Sequence, residues 1–364
     1  MRILDKYIVR ELLGPFIFGI AAFSSVFIGT GTLFKIAQYI TKYGASLWVV
    51  TKLFVFSLPS IVVLTFPMSM LLASLLSFGR LSGSSEITAM RSGGLSFYRL
   101  TLPVFIVAFG VSVFAVAFNE LVVPRANEAY NNIVRYDIEQ NTAPKSQEHV
   151  IIKDIKDGAL QRLTYAKRFE AATNEMIGVT VQDFDNGELV RVENAEKAKW
   201  FSDKWIMYHG TIHDLTPQEK STAIRVMQFQ EQVLPLNKDP KAISRDQKKM
   251  EEMTIKELKQ EIKLLKGQYV NTNNYEVELH QRLAIPMASF IFAMIGTPLG
   301  LQPHRSSSSI GLGISIIIIF IYYAIMTVAT ALGQGGAILP VAAAWIPNFI
   351  GLLAGIYLVR KASR

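Results

Sequence analysis

Cysteine is missing altogether from the 364 residues. That removes a disulfide framework, a thiol nucleophile and any thiolate-ligated metal, and the chain can fold in an oxidising or a reducing compartment alike. There is no Gly-Lys dipeptide either, so no Walker A phosphate loop can be written. No Gly-x-Ser-x-Gly, no His-Glu-x-x-His and no His/Asp/Glu set at metal-ligand spacing occurs. His209 and His213 stand four apart in a segment that reads as a strand, and are expected to be surface strand residues. Charge is scarce, at 18% against 50% hydrophobic residues, and the long apolar runs carry no acid at mid-depth. The buried carboxylate relay of a proton-driven pump is therefore not there.

What the chain has in plenty is apolar length. Six runs, at 12–34, 53–77, 102–123, 283–301, 310–332 and 341–359, each approach the roughly 20 residues that cross a bilayer core about 30 Å thick. They fall three and three around about 155 residues of ordinary polar sequence. The pattern predicts an α-helical membrane protein with six transmembrane helices (3+3) and an inserted soluble domain. The membrane halves take residues 1–123 and 277–364, and the insert takes 124–276. Charge divides the same way. Pro124 to Gln281 hold 23 Lys/Arg against 25 Asp/Glu, a net of −2; the remainder holds 14 Lys/Arg and four acids (Asp5, Glu11, Glu86 and Glu120), a net of +10. The basic excess thus belongs beside the membrane, where Lys and Arg orient spans and meet anionic headgroups. It does not form the patch on a soluble domain that a nucleic acid would need.

Arg2, Lys6 and Arg10 ahead of an apolar run imitate a signal peptide. The run is too long, however, and Ala21-Ala22-Phe23 is not followed by a polar mature start, so an uncleaved first span is expected. The first eleven residues read as an amphipathic helix, with Ile3, Leu4, Tyr7, Ile8 and Leu12 opposite Asp5, Lys6 and Arg10. Arg2, Lys6, Arg10, Arg80, Arg91, Arg99, Arg305, Arg360, Lys361 and Arg364 make ten basic residues in the short segments on one side; Lys35 and Lys42 lie on the other. The positive-inside rule then puts both termini in the cytoplasm and the insert outside it, in a bacterium the periplasm. Pro59 and Pro67 should kink span two. Gly29, Gly31, Gly311 and Gly313 suit tight packing or bending.

The insert reads as all-β. Strands are expected at 148–153, 160–168, 176–184, 188–199, 204–215 and 222–234, broken by turn signals such as Lys156-Asp157-Gly158 and Asp185-Asn186-Gly187. Repeated short strands favour a sandwich or jelly roll over a doubly wound sheet. A linker follows at 236–246. Thr254-Ile-Lys-Glu257 then forms a capping box that opens a helix at about 255–266, stopped by Gly267.

The loop between spans two and three, Gly79 to Ser96, carries Glu86-Ile-Thr-Ala-Met-Arg91 as a short helix. Ser84 or Ser85 is its expected cap, its early acid suits the helix dipole, and Gly93-Gly94 end it. Such an element suits docking and is too small to bind a nucleotide.

The run Ser84 to Ser96 resembles the coupling-helix signature of the LptF/LptG (YjgP/YjgQ) permeases of lipopolysaccharide export. So do Leu4-Asp-Lys-Tyr-Ile-Val-Arg-Glu11, Phe66-Pro67-Met68 and Glu120-Leu-Val-Val-Pro-Arg-Ala-Asn127. Leu279-His-Gln-Arg-Leu-Ala-Ile-Pro286 and Ala344-Trp-Ile-Pro-Asn348 also match, all in order across both membrane halves. The resemblance implies an inner-membrane subunit with a periplasmic β-jellyroll. It would pair with a second LptF/LptG-type subunit, an ATP-hydrolysing LptB-like dimer, and LptC-like and LptA-like jellyroll proteins. The cargo would be lipopolysaccharide, extracted from the outer leaflet and passed to a periplasmic bridge of jellyrolls. The chain itself would bind no cofactor, its partner using ATP and Mg. By the same resemblance Glu86 is the coupling acid, with Arg80, Ser84, Met90 and Arg91 around it. Lys35 and Lys42 match a basic region that meets lipid phosphates, though snorkelling anchors would look the same. Phe27, Phe66 and Ile317 are expected among the apolar walls of a cavity between two subunits, with Phe16, Phe23 and Phe320. An ion-coupled secondary transporter and a membrane-anchored periplasmic scaffold are the alternative readings.

Overall fold

The computed structural model describes residues 3–138, 146–156, 159–185, 187–215, 225–236, 238–240, 243, 248–267, 270–301 and 308–363. Asp157, Gly158 and Asn186 of the expected turns, residues 222–224 of the expected last strand, most of the 236–246 linker, and Arg305 lie outside the described residues. The chain divides into two compact units, Met1–Glu139 with Met250–Arg364, and Gln140–Lys249.

The first unit is helical. Helix α1 (Ile3–Phe27) passes through a π turn (Ile28–Thr32) into α2 (Leu33–Tyr43), followed by α3 (Leu47–Gly83), α4 (Glu86–Ser92), α5 (Phe97–Leu121) and α6 (Val123–Asn132). After the insert come a 3-10 turn (Met250–Glu252), α7 (Ile255–Gly267), α8 (Asn273–Gly300), α9 (Ser308–Gln334) and α10 (Pro340–Ser363). Six helices among the described residues are long and apolar enough to cross a membrane, and each matches an expected run to within a residue or contains it. The amphipathic start is no separate helix: it continues into span one. Its buried stripe is Ile8 and Leu12, with Leu4 partly buried, while Ile3 and Tyr7 are exposed.

Helices α3 and α8 form the centre, with α1 against α3, α10 and α5 against α8, and α9 against α10 and α3. The seam is set by Gly296 and Gly300, one turn apart on α8. A Cβ at Gly296 would lie 2.9 Å from the Leu71 carbonyl oxygen, and one at Gly300 2.9 Å from that of Leu75. Small residues at this spacing let two backbones meet, which is how helices gain contact in a solvent as apolar as themselves. Of the glycines expected to suit tight packing or bending, none makes such a close approach within this chain. Gly29 and Gly31 lie in the π turn with open space beside them, Gly313 on α9 likewise faces open space, and Gly311 makes only ordinary contact with Leu76. Helix α3 runs on through Pro59 and Pro67. The outward faces of α1 and α9 remain apolar and open, as Phe18, Ile317 and Phe320 illustrate.

The second unit is one six-stranded antiparallel sheet with its strands in chain order: β1 (Gln147–Lys156), β2 (Ala159–Glu170), β3 (Glu175–Asp185), β4 (Glu188–Phe201), β5 (Lys204–Asp214) and β6 (Arg225–Leu234). It becomes a two-layered body by folding along one line. Positive φ occurs at His149 on β1, Gly178 on β3 and His209 on β5, in register across the sheet. The buried alternation changes phase there, from Met176 to Val179 and Val181, from Ala195 to Ala198, and from Trp205 and Met207 to Ile212. A strand bent at such a point can serve both layers. Two contacts bridge the layers: Gln232 Nε2 donates to Glu193 Oε2 at 3.1 Å, and Arg162 Nη1 to the Pro235 carbonyl at 3.0 Å. Between them lies a core of Phe169, Met176, Trp205 and Met207, with Ile243 from the segment after β6.

Candidate functional site

The expected docking helix is α4, and its setting is a corner. Helix α3 ends at Gly83, and Ser85 turns the chain with φ of 61°, in the left-handed region. The expected serine cap does not form, since neither the Ser84 nor the Ser85 hydroxyl accepts from an α4 amide. Ser84 instead donates to the Arg80 carbonyl at 3.0 Å and to Glu86 Oε1 at 2.9 Å. The glycine end is as expected. Leu95 N bonds to Met90 O and Gly94 N to Arg91 O, with Gly94 at φ of 89°, a Schellman closure. Buried Ile87 and half-buried Met90 root α4 in the core between α1, α3 and α5.

The corner's charged side chains are held from outside the loop. Tyr7 Oη donates to Glu86 Oε2 at 2.6 Å, Glu11 pairs with Arg80, and Asp5 pairs with Arg99 at 2.7 Å. Arg91 Nη1 reaches the Ala362 carbonyl near the chain's other end at 3.5 Å. The Tyr7 hydroxyl, then that of Ser84, with the Arg80 charge adding, hold the Glu86 carboxyl below the usual carboxylate range. Arg80, Ser84, Glu86, Met90 and Arg91 thus share one corner. Sequence reasoning missed Asp5, Tyr7 and Glu11. The available signal was scarcity: only four acids stand outside 124–281, and all four are engaged.

The fourth acid, Glu120, belongs to a polar node at the opposite end of the bundle. It accepts from Ile255 N through both oxygens, at 3.1 and 2.9 Å, alongside the Thr254/Glu257 capping box that opens α7. Arg282 on α8 is buried and donates to the Met250 and Met253 carbonyls and to Glu278 at 3.2 Å. Asn127 Nδ2 bonds the Glu251 carbonyl at 3.0 Å, and Asn131 bonds Glu252 at 2.7 Å. Pro286 cannot donate to the Arg282 carbonyl, which accepts from Asn119 instead at 3.5 Å. Asn348 on α10 bridges the Tyr322 hydroxyl and the Ala284 carbonyl at 2.8 and 2.7 Å. The motifs around 120–127, 279–286 and 344–348 are therefore cross-links between helices. The adjoining cavity, about 180 Å³, falls below the range of small-molecule sites.

Lys35 and Lys42, both exposed, stand seven apart on α2 and so share a face. Lys42 lies over the Tyr43 ring at 5.2 Å, and Lys52 over Trp48 at 5.4 Å, an additional cation–aromatic pair beyond the expected two lysines. Phe27 is half-buried and Ile317 exposed, whereas Phe66 is itself buried, against half-buried Phe16 and exposed Phe114, each ring centroid 6.1 Å away.

These features define a multi-pass helical membrane protein with a β domain inserted between its two halves. The profile of the lipopolysaccharide export system permease LptF/LptG matches residues 6–361, nearly the whole chain, and the chain belongs to that family. It is similar to lipopolysaccharide export system permease protein LptG of Haemophilus influenzae, 23% identical over 222 residues, covering 57% of this chain and 58% of that protein. It is also similar to the protein of the same name from Escherichia coli, 21% identical over 313 residues and 84% of each chain. The alignment with the Haemophilus protein thus spans a little over half of that relative's length.

Proposed function

We propose that this chain is a membrane subunit of an ATP-driven lipopolysaccharide export complex, with its termini in the cytoplasm and residues 124–276 in the periplasm. It pairs with a second LptF/LptG-type subunit, and α4 docks on an LptB-like ATPase that supplies the nucleotide chemistry. The family match over residues 6–361 carries the reading. It is supported by a short helix, with an acid as its first residue held by Tyr7 and Ser84, on the side that bears most of the short-loop basic residues. Lipopolysaccharide offers acyl chains and phosphates. The open faces of α1 and α9, Ile317 among them, suit the chains, and Lys35 and Lys42 at the far end of span one suit the phosphates. Phe66 serves packing within the subunit. ATP binding closes the ATPase dimer, moves α4 and narrows the cavity between the paired subunits. LptC-like and LptA-like jellyrolls then receive the cargo beyond the insert. The test is Glu86→Ala in the assembled complex in proteoliposomes: ATPase co-purification and ATP-dependent lipopolysaccharide release should both fall. Export at the unsubstituted rate would refute the assignment of α4.

A further inference from the structure

The contacts of α1 with the docking corner are not those of a passive anchor. Tyr7 and Glu11 are one turn apart on α1 and so neighbours on one face. They reach opposite sides of the corner: Glu11 holds Arg80 in the last turn of α3, and Tyr7 holds Glu86, the first residue of α4. Asp5 ties the same helix to Arg99, beyond the far end of α4. The loop is therefore clamped at both ends by a single rod. Helix α4 has seven residues, too few to hold a direction by itself. Ser85, where the direction is set, is a non-glycine at positive φ, a conformation that persists only when the surroundings over-determine it. Helix α1 continues from these contacts, without a break, into span one.

We propose that span one is wired directly to the docking helix: Tyr7 is a positioning residue whose hydroxyl, with Glu11 one turn on, fixes the angle at which Glu86 is presented. Movement of α4 then passes into span one through this face, and not only through the covalent link to α3. The inference rests on α4 being the ATPase-docking element. The titratable and charged groups around the Glu86 carboxylate are Tyr7 and Glu11 of α1 and Arg80 of α3.

The test uses the complete complex with its ATPase in nanodiscs, comparing Tyr7→Phe, Glu86→Gln and the double variant. Tyr7→Phe removes one hydroxyl and should weaken ATPase docking about threefold to tenfold, the range of an ordinary hydrogen bond, since solvent exposure offsets the gain from the charge. Its acid limb should also move. Without the phenol the Glu86 carboxyl protonates at higher pH, so docking is lost earlier on acidification. Adding Tyr7→Phe to Glu86→Gln should cost nothing beyond Glu86→Gln alone, whereas additive losses would count against the brace. Unchanged affinity and pH profile in Tyr7→Phe, with docking lost in Glu86→Gln, would overturn the brace and leave the docking role standing. Normal docking by Glu86→Gln would remove both. Should Tyr7→Phe not accumulate as folded protein, the exchange Asp5→Arg with Arg99→Asp decides. Asp5→Arg alone should uncouple ATP hydrolysis from transport and the paired exchange restore it; a pair no better than the single variant counts against the proposal.

Discussion

Replacing Arg282 by Met keeps the length and apolar stem of the side chain and removes its charge and donors. In the folded protein the guanidinium is buried, 7% exposed, and serves three acceptors, the carbonyls of Met250 and Met253 and the Glu278 carboxylate. Only the planar arginine fork can reach all three from one position. Its removal leaves two carbonyls and a carboxylate short of a donor near the core. Removing one partner of a buried charged set costs about 3–5 kcal/mol, which for a unit of this size shifts the melting midpoint by of order 10 °C. Arg282→Lys, able to serve one or two of the acceptors, should fall between. The assay is thermal unfolding of the purified complex in detergent by intrinsic fluorescence, with size-exclusion chromatography confirming assembly before heating. A methionine variant melting within a degree or two of the unsubstituted protein would show that the node does not hold the returning segment, and the reasoning would fail.

Three further outcomes are expected. Gly300→Val places a Cβ 2.8 Å from that of Phe78 and 2.9 Å from the Leu75 carbonyl; because a backbone must yield, about 3 kcal/mol or more is lost, read as loss of monodisperse protein. Burial pushes the Glu193 carboxyl above the usual range and so favours its neutral form. The contribution of this group to stability is fully present below its unfolded value and is lost as pH rises through the folded one, so Glu193→Gln should raise the melting midpoint by a few degrees at pH 7 and flatten its slope below; no change in slope would count against it. Tyr322→Phe leaves Asn348 short of a donor in the bundle core and should cost about 1–2 kcal/mol in thermal unfolding, with no effect on ATPase docking.

Local rules carried the sequence reading a long way. Span lengths, the strands, the Thr254/Glu257 box and the glycine end of α4 each depend on residues within a few positions of one another, and each stands in the structure. What escaped it acts at long range. The Tyr7–Glu86 bond joins residues 79 apart, and Tyr7 was counted for its ring when its hydroxyl makes the contact. The fold line through the β sheet has no local marker, since two of its three left-handed residues are histidines. The packing glycines were legible and passed over. Gly29 and Gly31, two apart, cannot share a helix face, whereas Gly296 and Gly300, four apart, must. The serine cap failed for a different reason: Ser85, in the cap position, sits at φ of 61°, outside the extended backbone from which a cap hydroxyl accepts from the first helix amides.

The π turn at Ile28–Thr32 has a geometric corollary. Such a turn holds one residue more than the α turn it replaces. The register of everything beyond it, Lys35 and Lys42 included, runs ahead of that of Tyr7 and Glu11 by that surplus. Deleting a single residue there would close the coil to ordinary pitch and leave both lysines near their present azimuth, whereas a deletion from the regular part of α1 would swivel them by about 100° around the axis. The two extremities of span one are indexed to each other by one amino acid.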